Sequence, residues 1–346
     1  MTTPSSNQTW LSLTHEAALE PALPICDPHH HLWDKVRGRV SARYLLDEIL
    51  DDIATSGHNV VSTVFIECGA MYNKPAPREL QPVGEVEFVN GIAAMSVSGL
   101  YGPARVAAAI IGTVDLKLGD GAARVLDAEI AAGGGRFRGI RRAAAWDASS
   151  DVPKHRTEPG ERLFYRDDFR AGFKHLAPRK LTFEAWCYHR QIPDVTALAR
   201  AFPDTTIILN HFGGPLGVGP YAGKAEDVYA AWRPAITELA TCPNVVVKLG
   251  GINMEMNGFG WHQRPKPPTS QELCDATRRW YEFTIEKFGA DRCMFESNFP
   301  VDKESCSYGV LWNSFKRLTA KYSASDKAKL FHDTAARVYR LSAKPS

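Results

Sequence analysis

The sequence predicts an α/β protein built as a (β/α)8 barrel, on three observations. Short β-branched runs alternate with helical stretches along the chain, the pattern of a parallel sheet with helical crossovers. Eight such units can be counted, the number that closes a barrel. The 346 residues show no composition shift, internal repeat or linker, and barrels routinely run past ~250 residues as one unit. A single domain over 1–346 is expected, with 1–20 as an N-terminal extension.

The elements follow in order. Strand one is expected at 25–31 and the helix after it at 44–56. Strand two, 60–67, rests on Val60, Val61, Thr63, Val64 and Ile66, and precedes a helix at 85–98. Strand three (106–114) leads to a helix at 122–132, and strand four (137–142) to one at 161–176. Strand five (181–187) is followed by 195–202, and strand six (206–211), with the apolar run Ile207-Ile208-Leu209, by 225–240. Strand seven (245–249) leads to 271–288, whose boundaries carry the clearest signals. Thr269 and Glu272 have capping-box spacing, and Gly289 follows the last periodic position as a left-handed C-terminal residue would. After strand eight (293–295), patterns at 308–322 and 326–341 provide the closing crossover and an extra C-terminal helix. The stretch 250–268, rich in Gly, Pro and aromatics, is long for a loop. It follows strand seven, on the face where barrel active sites are built, and is read as a lid.

Composition narrows the function. At 44% hydrophobic and 23% charged, the chain is globular in type and expected to bury a core. Lys+Arg (41) against Asp+Glu (39) leaves +2 with no run of five like charges, which argues against nucleic-acid binding and for a small-molecule partner. No apolar run approaches the ~20 residues that span a bilayer, and Met1-Thr2-Thr3-Pro4-Ser5-Ser6 lacks the basic and apolar parts of a leader, so no membrane partner and a cytoplasmic location are expected. The seven cysteines are odd in number, scattered and without a C-x-x-C pair, and are read as reduced core residues.

Chemistry gathers at strand ends. In Cys26-Asp27-Pro28-His29-His30-His31, alternation along a strand puts Asp27, His29 and His31 on one face and His30 on the other. Two imidazoles on one face are half of a zinc site, which needs about four ligands. The alternative is a His-rich turn with satisfied hydrogen bonds. His211 ends strand six before Gly213-Gly214-Pro215 at the same mouth, or caps a turn there. Glu67, Glu184, Glu296 and Asp302 lie near strand ends, where a barrel hydrolase needs a general base. Arg141, Arg142 and Lys248 are either their structural partners or a clamp for an anionic substrate.

These residues resemble the amidohydrolase superfamily, in its second branch of barrel hydrolases. That branch includes sugar lactonases, pyrone-dicarboxylate lactonase and, more distantly, aminocarboxymuconate semialdehyde decarboxylase. The resemblance rests on six motifs in order: Asp27 to Trp33 (DPHHHLW), Gly139-Ile140-Arg141, Gln191-Ile192-Pro193-Asp194, Asn210 to Pro215 (NHFGGP), Val247 to Gly251 (VKLGG), and Ser297-Asn298-Phe299-Pro300. It implies a (β/α)8 barrel with His29, His31, His211 and a strand-eight acid around a water or metal at the mouth. One departure matters: Asn298 stands where the family usually has Asp, and an amide cannot accept a proton at neutral pH. Asp302, at a loop position that can reach substrate, is the favoured replacement, with Glu296, two residues deeper on the strand, as the other.

The resemblance thus implies a hydrolase that opens a cyclic ester or related carbonyl compound. Water would be activated by Asp302 or a metal, and His29, His31 and His211 would polarise the carbonyl. Arg141 or Lys248 would hold a substrate carboxylate, with Trp33 and Trp261 as further substrate contacts. Because the branch holds metal-bearing and metal-free lactonases, a divalent metal, zinc first, on His29, His31 and His211 is one expectation and a metal-free site the other. A metal-dependent decarboxylase of an aromatic or muconic acid and an inactive binding barrel are the alternatives, and homo-oligomerisation stays open.

Overall fold

Eight parallel strands follow one another around the sheet in chain order. The structure, a computed structural model, describes residues 6–34 and 43–341, so the first five residues of the expected extension lie outside it. The strands are β1 (Ile25–His30), β2 (Val60–Ile66), β3 (Arg105–Gly112), β4 (Phe137–Ala143), β5 (Thr182–Trp186), β6 (Ile207–Leu209), β7 (Val245–Leu249) and β8 (Cys293–Phe295). The crossovers are α1 (Leu46–Ser56), α2 (Val83–Ser96), α3 (Ala122–Ala132), α4 (Asp167–Phe173), α5 (Ile192–Ala201), α6 (Ala225–Leu239), α7 (Ser270–Phe288) and α8 (Tyr308–Leu318). The seam between β1 and β8 is closed just past β8: Asn298 N donates to His29 O at 2.9 Å and His31 N to Phe299 O at 2.8 Å.

The strands read as near-continuous apolar runs because both faces are buried. Alternation sorts them into two clusters. Cys26, Val64, Ile66, Ala109, Ile111, Ile208, Val246 and Met294 fill the barrel. Their neighbours Phe65, Ile110, Ile140, Phe183, Ile207 and Phe295 join the larger core under the helices. The barrel end opposite the mouth is plugged by the C-terminal helical segment. Ala335, Val338 and Tyr339 pack into the inner cluster, and Tyr339 Oη donates to Glu184 Oε1 at 2.5 Å.

Departures from the expected elements have local causes. The helix expected at 161–176 contracts to α4, flanked by 3-10 turns at Leu163–Tyr165 and Ala177–Arg179, the second carrying Pro178 in its first turn. Helix α5 begins earlier than expected, because Pro193 suits a first helical turn. The C-terminal pattern is broken by a π-helical turn at Lys329–Asp333 between Ala324–Ala328 and Thr334–Val338. Gly289 has the expected positive φ, 79°, but a ψ of 157°, so it leads straight into a 3-10 turn instead of closing the helix in the left-handed conformation. The capping box is present: Glu272 N donates to Thr269 Oγ1 at 3.2 Å, and Thr269 N to Glu272 Oε2 at 2.8 Å. Thr269→Ala is expected to cost about 1 kcal/mol, read from the denaturant midpoint.

The long 250–268 loop is tied along its length. Ser305 Oγ donates to Asn253 O at 2.6 Å, Gly217 N to Met256 O at 2.8 Å and Asn257 Nδ2 to Pro215 O at 2.7 Å. Its far end is held by the N-terminal segment, through Trp10 Nε1 to Arg264 O (2.9 Å) and Thr14 Oγ1 to Pro267 O (2.8 Å). All seven cysteines are buried and none of them is in a disulfide. Among the described residues, no helix is long and apolar enough to cross a membrane.

Candidate active site

The register of β1 against β2 shifts between Asp27 and His30. This corrects the expectation that Asp27 shares a face with His29 and His31. The Asp27 carboxylate turns toward α8, accepting from Tyr308 Oη at 2.9 Å and from Ser297 N at 2.9 Å. Burial raises its pKa to about 6. His30 points away from the barrel interior, with Nε2 2.8 Å from Thr63 Oγ1 and its ring edge-on to Phe65. His29 and His31 point inward together, ring centroids 5.0 Å apart.

Around His29 the structure assembles His211 from the end of β6 and Glu296 from just past β8. Glu296 Oε2 lies 2.7 Å from His29 Nδ1, and Oε1 lies 2.7 Å from His211 Nδ1. One carboxylate is thus shared by two imidazoles whose centroids are 4.6 Å apart. A carboxylate only accepts, so the His211 Nδ1 bonded to it carries the proton and its Nε2 keeps the lone pair, whereas His29 Nδ1, though as close, makes no aligned hydrogen bond. His31 Nδ1 is taken by Ile66 O at 2.8 Å, and Trp33 stacks on the His31 ring at 5.8 Å. Trp186 stands edge-on to His211 at 4.8 Å.

Backbone geometry makes room for this cluster. A Cβ on Gly251, whose φ is +63°, would stand 2.0 Å from His211 Nδ1, and one on Gly250 would meet Glu296 O at 2.2 Å. The Gly-Gly pair after β7 is therefore the space that the strand-six and strand-eight side chains occupy. His211 (φ 52°) and Asn298 (φ 57°) adopt left-handed backbone, which non-glycine residues hold only where the surroundings enforce it.

Charges surround the imidazoles in pairs. Arg141 Nε donates to Glu67 Oε1 at 2.9 Å, and its Nη1 lies 3.3 Å from His29 Nε2. Arg156, from the segment after β4, reaches the other Glu67 oxygen through Nη2. Lys248 Nζ lies 2.7 Å from Glu184 Oε2, which also accepts from Asn210 Nδ2 at 2.5 Å. Of the two readings open for Arg141 and Lys248, the structure shows each beside a carboxylate partner. Burial first, then the nearby Lys248, holds His29 well below the usual imidazole range, so it is neutral and its Nε2 accepts from Arg141.

Asp302 is also buried, in a 3-10 turn after β8. Asn298 Nδ2 donates to its Oδ1 at 2.9 Å, while Oδ2 has no partner. Burial, reinforced by the Glu296 charge, raises its pKa to about 8. At neutral pH it holds a proton, which suits a donor better than a base. Trp261 stacks on Phe259 at 5.7 Å with Arg264 over its ring, within the 250–268 loop.

The residues fit a divalent cation. His29, His211 and Glu296 each offer a ligand atom, all within 4.8 Å of one another. His29 Nδ1 and Glu296 Oε2 are buried and lack an aligned hydrogen bond, as donors facing a cation would. Two imidazoles and a carboxylate form a set that zinc accepts. It differs from the set expected from the sequence, with Glu296 in and His31 out.

Glu85, on α2, pins the segment behind Glu67: its Oε1 accepts from Cys68 N at 3.0 Å and Ala70 N at 2.7 Å. Burial raises its pKa to about 7, and the neighbouring buried Glu129 is raised further above the carboxylate range. A raised carboxylate stabilises the fold in its protonated form, so this contribution is full below the ordinary pKa near 4.5 and is lost as pH rises through about 7. Glu85→Gln keeps the acceptor and removes the charge. It is expected to flatten the decline of the melting midpoint between pH 5 and 8, and an unchanged slope would rule Glu85 out as its source.

The amidohydrolase family model matches residues 26–341. The chain is 32% identical over 338 residues to the uncharacterized protein y4mH of Sinorhizobium fredii, covering 92% of this chain and 99% of that protein. It is 28% identical over 236 residues to an L-fucono-1,5-lactonase of Burkholderia multivorans, covering 68% of this chain and 72% of the lactonase. Its fold is similar to that of an amidohydrolase from Burkholderia multivorans solved with bound zinc, at a TM-score of 0.70, with 23% identity and coverage of 92% of this chain and 99% of that one.

Proposed function

The chain belongs to the amidohydrolase family, and from that premise we propose that it hydrolyses a cyclic ester, with Glu296 orienting His29 and His211 toward the mouth. The observation that carries this reading is the single carboxylate shared by two imidazoles at 2.7 Å each. Similarity to an L-fucono-1,5-lactonase supports a lactone as the ester.

His211 Nε2 takes a proton from water as the oxygen attacks the carbonyl carbon, and Glu296 stabilises the imidazolium that forms, as a buried carboxylate does behind any catalytic histidine. The Arg141 guanidinium, beside His29 Nε2, and the His31 ring face the carbonyl oxygen as its negative charge develops. When the ring C–O bond breaks, the leaving alkoxide takes a proton back, from His211 or from protonated Asp302. A divalent metal held by His29, His211 and Glu296 would supply carbonyl polarisation and a water of lowered pKa, and a neighbour solved with bound zinc supports the presence of such a metal.

The test is a panel of 1,5- and 1,4-lactones followed by proton release at constant pH, before and after dialysis against a chelator. Hydrolysis is expected in the wild type and in His30→Ala, per folded molecule, and to vanish in His29→Ala and His211→Ala. Release of carbon dioxide from an aromatic acid, with no lactone opened, would overturn the proposal. One zinc bound per chain, lost in Glu296→Gln, is the expected metal result.

A further inference from the structure

The imidazoles are sealed in: His29, His31 and His211 are at most 3% exposed, and Glu296 is fully buried. A segment that moves at the mouth would open them to a substrate. The 250–268 loop is tied along its length to its neighbours. The segment after β4, residues 144–166, is built differently. Its first part is held from one side, by Gln191 Nε2 on Trp146 O (2.7 Å), Tyr188 Oη on Pro153 O (2.5 Å) and Tyr221 Oη on Asp147 Oδ2 (2.7 Å). Across the mouth it reaches with Arg156, which pairs with Glu67 and lies on Gly69, where a Cβ would stand 3.3 Å from Arg156 Nη1. Two cavities, of about 260 and 440 Å³, are walled by this segment and share Trp146 and Asp147.

The Glu67 carboxylate binds two guanidiniums unequally. Buried Arg141 takes Oε1, while Arg156, with a side chain 34% exposed, takes Oε2. Loss of Arg141 would leave the buried carboxylate with only the partly exposed Arg156, a costly event. Departure of Arg156 leaves Glu67 paired and returns a partly exposed cation to water. The contact can therefore break without leaving Glu67 unpaired, and the guanidinium fork matches another carboxylate.

We propose that Arg156 is the substrate-carboxylate handle of this site: it exchanges Glu67 for a carboxylate carried by the cyclic ester, and residues 144–166 are the lid that moves with it. The identity of the ester rests on the hydrolase reading above; the binding does not. The probe is tetrahydropyran-2-carboxylate, with tetrahydropyran-2-methanol as its neutral counterpart, titrated calorimetrically into the full chain. The wild type is expected to bind the carboxylate about tenfold tighter than the alcohol. Arg156→Gln is expected to erase that difference, and Arg156→Lys to keep part of it. Amide exchange in Arg156→Gln is expected to rise across 144–166 and not across 250–268. Equal affinity for the two probes in the wild type, no binding of the carboxylate, or a preference that survives Arg156→Gln overturns the handle. Unchanged exchange in 144–166 overturns the lid. Neither readout needs turnover, so a chain that shows both shifts but opens no lactone sinks the hydrolase reading alone.

Discussion

Glu296→Gln is expected to lower kcat by roughly 10²–10⁴-fold with the barrel still folded, while Asp302→Asn costs far less. The reason lies in donors and acceptors. The Glu296 carboxylate lies 2.7 Å from Nδ1 of both His29 and His211 and accepts an aligned hydrogen bond from His211. A glutamine offers one oxygen to one ring and an NH2 to the other, so one imidazole must move its proton to Nε2 and loses the lone pair that faces the mouth. Asp302 accepts from Asn298 and keeps a proton at neutral pH, and an asparagine there keeps an oxygen to accept that bond. The measurement is kcat on any lactone the wild type opens, with circular dichroism to confirm folding. A large loss in Asp302→Asn with little in Glu296→Gln would return the base to the loop after β8.

Lys248→Ala is the second large effect, and it falls on stability. Lys248 and Glu184 are both fully buried, 2.7 Å apart inside the barrel. Removing the ammonium leaves a carboxylate with neutral donors alone, Asn210 and Tyr339, in a site closed to water. Breaking such a pair costs about 3–5 kcal/mol. Adding Glu184→Gln to Lys248→Met is expected to recover most of the loss, since the stranded charge is then gone. Denaturant midpoints of the single and double variants check both statements. Equal destabilisation in the two would place the cost in packing instead.

The barrel was legible because β-branched runs and helical periodicity are local signals, and all eight strands lie where the pattern puts them, within a residue or two at their ends. His211 was legible because it follows an apolar strand, and His29 and His31 because their spacing puts them on one face at the end of β1. Glu296 was visible only as an alternative: the strand period places it two residues deeper than Asn298, but its two imidazole partners come from elements 85 and more residues away. Asp27 was misplaced because a register shift in β1 leaves no mark in a motif read by alternation. The role of Gly251 could not be read either, since what excludes a Cβ there is the His211 ring, on another strand. Arg156 lay in a stretch without periodicity, and its link to Glu67 spans 89 residues.

The seam that closes the cylinder has a consequence during synthesis. Asp27 and the Ser297 amide it accepts from are 270 residues apart. At about 5–20 residues per second, a ribosome needs roughly 15–50 s to make the chain between them. Through that interval one edge of β1 has no partner strand, and such edges recruit other chains. The plug arrives later still, because Tyr339 lies beyond the seam. Slowing translation after β1 should therefore lower the soluble yield more than slowing it after β8.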